Sequence, residues 1–330
     1  MLQIALLNLN SLIFIYPKDS LIKLFARNIT LRAYFCLSIT AFCWGCNAVF
    51  ARLAVGEVSP MMIVSLRWFG VVILMSLFAR SALRKDWSAL RPNLFLLFLM
   101  GALGFTAFNA LFYVSAYTTT ALNIGIIQGS IPVFVLLGAL LIYKIPVTGR
   151  QAVGVVVTLF GVAVVSSAGD LHRLASLHIN QGDYLMMIAC FLYSSYALTL
   201  RRFSGTSPLS LFAVVAAAAF ISSLPLSFAE YYMQSLQWPT PKGWLIVGLI
   251  TVLPSFLAQI CFIQGVTDLG AGRAGIFVNL VPVFAAILAV SILQEPFQWY
   301  HGLSLLLVVG GIALSEQRRA SATKEGGFAD

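Results

Sequence analysis

The chain has 330 residues, of which 60% are hydrophobic and only 9% are charged, and its mean hydropathy is +0.94. A soluble globular protein is about one-quarter charged, so this chain has too few charges to cover the surface of a soluble fold. Five cysteines exclude a disulfide scaffold. The net charge of +9 fits basic cytoplasmic loops, because no nucleic-acid-binding motif accompanies it. Composition therefore predicts an integral membrane protein, with the lipid bilayer and not a nucleic acid as its partner.

Ten apolar stretches are long enough to cross a membrane as helices. Such a helix needs about 20 mostly apolar residues, and these continuous runs do not alternate as the strands of a transmembrane β-barrel would. The stretches lie near residues 33–53, 60–79, 93–116, 120–143, 150–168, 182–200, 208–228, 243–266, 271–292 and 298–315. The sequence predicts an all-α membrane protein of ten transmembrane helices, with connections such as 80–91 between them.

The basic residues predict the orientation of these spans, because such residues concentrate in cytoplasmic loops. With the N-terminus inside, three basic residues lie outside, namely Arg52, Arg173 and Lys242. Sixteen lie inside: Lys18, Lys23, Arg27, Arg32, Arg80, Arg84, Lys85, Arg91, Lys144, Arg150, Arg201, Arg202, Arg273, Arg318, Arg319 and Lys324. We therefore expect a cytoplasmic N-terminal segment at 1–32 and a cytoplasmic tail at 316–330.

The chain contains an internal repeat. A shift of 150 residues aligns 121–165 with 271–315 without a gap, and 11 of these 45 positions are identical. The identities include a Pro-Val-Phe triplet that begins at Pro132 and at Pro282. The repeat divides the chain into two five-helix units, 33–168 and 182–315. Because five is odd, the second unit enters the membrane with the opposite orientation.

Inverted repeats are typical of secondary transporters. In such folds the substrate binds near the middle of the membrane, between the two halves, and access alternates between the two sides. The repeat therefore predicts a carrier for a small molecule. Nothing in the sequence specifies an oligomeric state.

Residues in both halves resemble the EamA-type family of the drug/metabolite transporter superfamily. They are Trp44-Gly45-x-Asn47, Arg67-Trp68, Pro132, Pro282, and Glu295-Pro296 followed by Gly311. The resemblance covers about 33–315 and implies an inner-membrane carrier that exports amino acids or other small metabolites through a central cavity. Ile145 stands where the family usually has the glutamate that matches Glu295, so the first half departs from the family's pattern and a role for this glutamate in both halves does not follow from the resemblance.

Amides inside the spans are candidates for the wall of this cavity, because polar groups are costly in a membrane. Asn109 in the third span and Gln259 in the eighth match under the 150-residue shift. Tyr113 lies one turn beyond Asn109 on the same helix face. The alternative is that these side chains form hydrogen bonds between neighbouring helices.

Aromatic residues and one cation extend the candidate site. Trp44 and Asn47 share a face of the first span, and Tyr193 and Tyr196 occupy comparable places in the sixth. An aromatic face with an amide suits a ligand that has an apolar body and a polar head. Arg67 lies some seven residues into the second span. It either faces a substrate carboxylate or phosphate, or bonds to carbonyl groups in a structural role.

Prolines inside the spans predict kinks, because proline removes a backbone hydrogen bond. Gln128 lies just before Pro132, and Asn279 just before Pro282. Pro254 interrupts the eighth span. We expect the two polar residues to line the cavity, and the three prolines to form either gates or fixed bends.

The sequence offers no catalytic set, metal site or cofactor site. The Cys43-x-x-Cys46 pair lies within a span, so packing explains it better than redox chemistry. All the acidic residues lie in loops, termini or span ends. We therefore expect a transporter and not an enzyme. The alternatives are an exchanger of phosphorylated or nucleotide-linked sugars, which needs several cavity cations, a channel, or an intramembrane enzyme.

Overall fold

The computed structural model describes residues 18–170, 180–203, 205–270, 274 and 277–316, with side chains from Ile29 to Ser315. The expectations for residues 1–17, for the loop that contains Arg173, for the start of the ninth span at 271–273 and for the tail beyond Glu316 lie outside the described residues. All the regular structure in the described part of the chain is helical.

The helices follow the predicted apolar stretches. The first half contains α1 (Lys18–Ala54), α2 (Pro60–Phe78), α3 (Arg80–Leu90), α4 (Leu94–Leu99), the π-helical segment Met100–Ala107, α5 (Phe108–Ser115), α6 (Ala121–Gln128), α7 (Ile131–Tyr143) and α8 (Gly149–Ser166). The second half contains α9 (Gln181–Thr199), α10 (Pro208–Tyr232), α11 (Pro241–Ile250), the π-helical segment Thr251–Leu257, α12 (Ala258–Leu269), α13 (Val281–Leu293) and α14 (Trp299–Glu316).

Within the described residues, eight helical segments are long and apolar enough to cross a membrane, and two further apolar helices, α13 and α14, are shorter. Two expectations need correction. α1 begins at Lys18, so part of the predicted N-terminal segment 1–32 continues the first span. The expected connection at 80–91 forms the helix α3, since its one buried residue, Leu90, anchors it against the bundle.

The duplication is visible in the backbone. The π-helical segments Met100–Ala107 and Thr251–Leu257 occupy matching places in the two halves. α7 is followed by Lys144 and α13 by Gln294, and each of these capping residues has the left-handed conformation with φ of 55°. These two residues are 150 positions apart, so the shift found in the sequence also relates the irregular features of the fold.

α8 and α14 pack closely against each other. A Cβ atom added at Gly154 would lie 2.5 Å from the carbonyl oxygen of Gly311, and one at Gly161 would lie 3.1 Å from that of Ser304. The residue numbers of the contact partners therefore decrease along α14 as they increase along α8, so the two helices are antiparallel. Small residues allow this close approach, as is common between helices in membranes.

Helix ends meet at two opposite faces of the bundle. The Glu57 face consists of the chain near 52–62, 115–123, 180–183, 230–243 and 293–299. The backbone N–H of Thr240 donates to the Glu57 carbonyl (2.9 Å) and the amide of Asn180 to the Thr118 carbonyl (2.8 Å). The Thr240 hydroxyl and the Lys242 ammonium also donate to the Glu57 carboxylate, which lowers the pKa of Glu57.

The Asp86 face consists of the chain near 29–32, 79–94, 143–149, 198–210 and 265–270. The Asp86 carboxylate accepts from the backbone N–H of Ser207 at 2.8 Å, which caps the start of α10. Arg32 forms an ion pair of 2.7 Å with Asp268. Most of the basic residues that the sequence assigns to the cytoplasm, among those described, lie at this face.

Candidate functional site

A cavity of about 260 Å³ lies inside the bundle, and helices of both halves form its wall. It extends from the middle of the bundle toward the Asp86 face, where Leu200 and Ile312 line it. Toward the Glu57 face the bundle is filled, because Phe112, Ile124 and Ala285 are completely buried there. The cavity therefore lies deep between the two halves and is closed at one face.

The structure brings most of the predicted site residues to this wall. Nine of the ten candidate binding residues and all three prolines line the cavity: Trp44, Asn47, Arg67, Asn109, Gln128, Tyr193, Tyr196, Gln259, Asn279, Pro132, Pro254 and Pro282. The tenth candidate, Tyr113, is 1% exposed and lies behind Arg67, outside the wall.

Arg67 on α2 is the only cationic side chain among the described lining residues. It is 6% exposed. Its Nη1 donates to Asn109 Oδ1 at 2.6 Å and to the Tyr113 hydroxyl at 2.7 Å. Both partners are neutral, and no ion pair joins Arg67 to a carboxylate in the described part of the chain. The cavity therefore contains a guanidinium whose charge is not balanced by a nearby acid.

A chain of hydrogen bonds fixes the position of this guanidinium. The Tyr113 hydroxyl donates to Asn47 Oδ1 at 3.1 Å, which leaves its oxygen free to accept from Arg67. The Asn109 amide nitrogen donates to the Phe105 carbonyl oxygen at 2.6 Å, so its Oδ1 must point toward Arg67. Asn109 and Tyr113 can share one partner because they lie one turn apart on α5.

Two donors beside the cavity have no hydrogen-bond partner in the described part of the chain. They are Arg67 Nε and Trp68 Nε1, and Trp68 is 3% exposed. The Arg67 guanidinium lies 5.2 Å from the centre of the Trp68 ring, and that ring stacks on Phe105 at 4.6 Å with an angle of 1°. Buried donors are usually satisfied, so these two nitrogen atoms are exceptions among the described residues.

Aromatic side chains form two sets in the cavity wall. In the first set Phe105 contacts Tyr196 (4.7 Å between ring centres), Tyr196 contacts Tyr193 (5.5 Å) and Tyr193 contacts Phe108 (5.1 Å). The second set is a pair of residues from α1 and α12. Both sets are suited to the faces of a flat apolar group.

The second aromatic set consists of Trp44 and Phe262, whose ring centres lie 5.3 Å apart. Trp44 Nε1 donates to the Pro254 carbonyl oxygen at 3.1 Å. This bond holds the indole of α1 against the π-helical segment Thr251–Leu257. The geometry thus explains why a tryptophan and a proline far apart in sequence belong to one site.

The amides Asn109 and Gln259 have different surroundings, although they match under the 150-residue shift. Asn109 is 1% exposed and holds Arg67, whereas Gln259 is only partly buried and its side chain makes no hydrogen bond in the described part of the chain. Gln128 Oε1 is buried at the wall without a partner. The two matching amides therefore differ in role: Asn109 positions Arg67, and Gln259 lines the cavity without a hydrogen bond in the described part of the chain.

Two of the three prolines predicted to kink a helix, Pro132 and Pro282, instead lie at the start of one. Pro132 and Pro282 lie in the first turns of α7 and α13, after breaks in the chain, where a missing N–H is tolerated. Pro254 does lie inside a helix. The π-helical turn accommodates it, and the Ile250 carbonyl there accepts a hydrogen bond from the Ser255 hydroxyl at 2.5 Å.

The two halves of the chain match a known family in sequence. The profile of the EamA-like transporter family matches residues 31–167 and again 180–316. The chain belongs to the EamA-like transporter family. The expected resemblance is therefore confirmed, and the chain is a multi-pass membrane protein of a family of transporters.

Individual relatives agree with this assignment. The chain is 28% identical to the uncharacterized transporter YyaM of Bacillus subtilis (strain 168), over 79% of this chain and 86% of the relative. It is 26% identical to the uncharacterized transporter YetK of the same organism, over 85% of each chain. A solved crystal structure superposes with a TM-score of 0.60 at 18% identity, over 91% of this chain and 99% of the other. That likeness shows the fold alone.

This EamA-like transporter closes the Glu57 face with carboxylates that cap helix starts across the repeat boundary. Glu295 accepts from the backbone N–H groups of Ala121 and Leu122, each at 2.9 Å, at the start of α6. Glu230 accepts from the Ser59 hydroxyl at 2.6 Å, at the start of α2. Helix starts favour negative charge, so each carboxylate joins one repeat to the other.

Sequence reasoning missed several lining residues of the EamA-like transporter. Phe105, Phe108 and Phe262 are apolar residues in an apolar background, so periodicity cannot separate them from lipid-facing positions. Trp68 forms part of the family motif Arg67-Trp68, but nothing else in the sequence distinguishes it from a lipid-facing tryptophan. The buried contacts of the span-end acids require tertiary structure, because Glu230 and Ser59 are 171 residues apart.

Proposed function

We propose that this EamA-like transporter exports a small metabolite by alternating access, with the central cavity as its binding site. The cavity between the two halves carries the proposal, because carriers built from inverted repeats bind substrate near the midplane at the repeat interface. The cavity reaches toward the Asp86 face and is filled toward the Glu57 face. If the Asp86 face is cytoplasmic, as the basic residues indicate, a substrate for export loads from that side.

The packing of α8 against α14 supports ten spans in two inverted repeats. Gly154 and Ser304 match under the 150-residue shift, as do Gly161 and Gly311. The contact between Gly154 and Gly311 is thus the image of the contact between Ser304 and Gly161. An antiparallel pair of equivalent helices implies a two-fold axis perpendicular to them. We therefore assign the repeats to 33–168 and 182–315, with both termini in the cytoplasm and the protein in the plasma (inner) membrane.

The lining residues take different roles in this proposal. Asn47, Asn109 and Tyr113 position the guanidinium of Arg67, and Gln128 and Gln259 offer polar contacts. The remaining binding candidates are Trp44, Tyr193, Tyr196 and Asn279. The chain breaks before Pro132 and Pro282 divide the fourth and ninth spans into two parts each, and the relative movement of those parts is the proposed gating step.

Counterflow in reconstituted vesicles tests this proposal. Vesicles preloaded with an unlabelled metabolite should accumulate the labelled one faster than empty vesicles, and the rate should saturate with concentration. A panel of labelled metabolites identifies the substrate, and protein-free vesicles are the control. Flux that neither saturates nor responds to preloading would indicate a channel. Conversion of the metabolite to a new compound would indicate an enzyme.

A further inference from the structure

We infer that the substrate is an organic monoanion, namely a carboxylate on a flat apolar body, which binds the guanidinium of Arg67. This inference rests on the proposed function and names the substrate class of the same cavity. It depends on three features of the wall: an unbalanced cation, a guanidinium whose Nη2 has no partner in the described part of the chain, and two sets of aromatic side chains.

The unbalanced cation favours an anionic ligand. Arg67 is 6% exposed, and its bonding partners Asn109 and Tyr113 are both neutral. The described wall contains no aspartate or glutamate. A buried charge without a counter-ion is unfavourable, and a ligand carboxylate would supply the missing negative charge. With one cation on this wall, a single negative charge is balanced and a second is not.

The free part of the guanidinium favours a carboxylate in particular. Nη1 of Arg67 donates to two neutral acceptors, whereas Nη2 makes no hydrogen bond in the described part of the chain. Arg67 is more than nine-tenths buried and lines the cavity. A carboxylate that accepts from Nη2 forms a charge-assisted hydrogen bond, which is the strong kind.

The aromatic surfaces favour a flat apolar body on the same ligand. Tyr193 and Tyr196 form one set, and Trp44 and Phe262 form the other. The hydroxyl groups of the two tyrosines have no hydrogen-bond partner in the described part of the chain, so they can contact a neutral polar group of the ligand. Among the described lining residues, a ligand ammonium finds only neutral oxygens, such as Gln128 Oε1.

Three probes that share one ring separate charge from shape. Phenylacetate, phenylacetamide and phenethylamine are anionic, neutral and cationic at pH 7.5, respectively. Binding to the purified full-length protein is measured by titration calorimetry and by the shift in melting temperature. We expect the dissociation constant of phenylacetate to be about ten- to a hundredfold lower than that of the amide or the amine, as a charge-assisted contact implies.

Matched variants assign this preference to the guanidinium. Arg67→Gln should bring the three dissociation constants to within about threefold of one another. Asn109→Asp keeps Arg67 in place but puts a carboxylate next to it, so it should also abolish the preference for the anion, in a protein that retains the acceptor for Arg67. Arg201→Gln removes an exposed cation that stacks on Tyr143, outside the wall, and should leave the preference unchanged.

Equal binding of the amide or the amine by the native protein would overturn the inference, as would an anion preference that survives in both cavity variants. Absence of binding by all three probes would overturn it as well. Counterflow of labelled metabolites is measured separately on the same preparation. Saturable counterflow together with any of these results would leave the transporter proposal standing and remove only the substrate class.

Discussion

The sequence-equivalent amides should respond differently to the same substitution. Asn109→Leu removes the acceptor that Arg67 Nη1 contacts at 2.6 Å and the donor to the Phe105 carbonyl at 2.6 Å. A bond to a charged group contributes about 1.5–3 kcal/mol and a neutral one about 1 kcal/mol, so we expect a loss of about 2–4 kcal/mol. Gln259→Leu breaks no hydrogen bond in the described part of the chain, and its stability should change by less than about 0.5 kcal/mol.

Unfolding of both purified variants in detergent, followed by tryptophan fluorescence, measures this difference. Each variant is the control for the other, because both replace an amide with leucine at matching places of the two repeats. Gln259→Leu should instead weaken ligand binding, since it removes a polar contact from the cavity wall. Equal destabilisation of the two variants would refute the assignment of Asn109 as the support of Arg67.

Three further experiments test packing, capping and orientation. Gly311→Ala should destabilise the protein by about 1–3 kcal/mol, because its Cβ would lie 2.6 Å from the carbonyl oxygen of Gly154. Gly310→Ala is the control and should not destabilise the protein, because its Cβ would meet nothing within 4 Å. Equal melting temperatures of the two variants would contradict the tight α8–α14 contact. Glu230→Ala should cost about 1–3 kcal/mol by leaving its buried donors unpaired, and an unchanged unfolding curve would rule out this cap. In whole cells without the native cysteines, an impermeant maleimide should label Tyr117→Cys but not Trp87→Cys; the reverse pattern would invert the proposed topology.

The candidate site residues could be predicted mainly from polar residues that lie inside apolar spans. Arg67, Gln128 and Gln259 stand out because polar groups rarely occur inside a membrane without a reason. The same principle predicts that Tyr113 lines the cavity, and the structure does not place it there. A polar side chain inside a span can instead form a hydrogen bond that positions another side chain, as Tyr113 does for Arg67. Which of the two applies depends on the direction of each side chain, and that is set by packing.

The backbone was predictable in outline and not in detail. The 150-residue shift relates Pro132 to Pro282 and correctly matches the helices that these residues begin. A proline inside an apolar run predicts a kink, but the structure ends one helix and starts another before each of the two. The π-helical segment Met100–Ala107 contains no proline, so no helix-breaking residue predicts it from the sequence. Its course follows from close packing, since a Cβ at Gly101 would lie 2.7 Å from the Val215 carbonyl.

Accessibility of the cavity from the two faces tests alternating access most directly. A cysteine in place of Gln259, in a protein without the five native cysteines, is labelled with an impermeant maleimide from each side of oriented vesicles. Glu295→Ala is then added; it breaks two bonds that close the Glu57 face and favours opening there by about 1–2 kcal/mol, or about five- to thirtyfold. Alternating access predicts faster labelling from the Glu57 face and slower labelling from the Asp86 face. A rise in both rates together would show a continuous pore and contradict it.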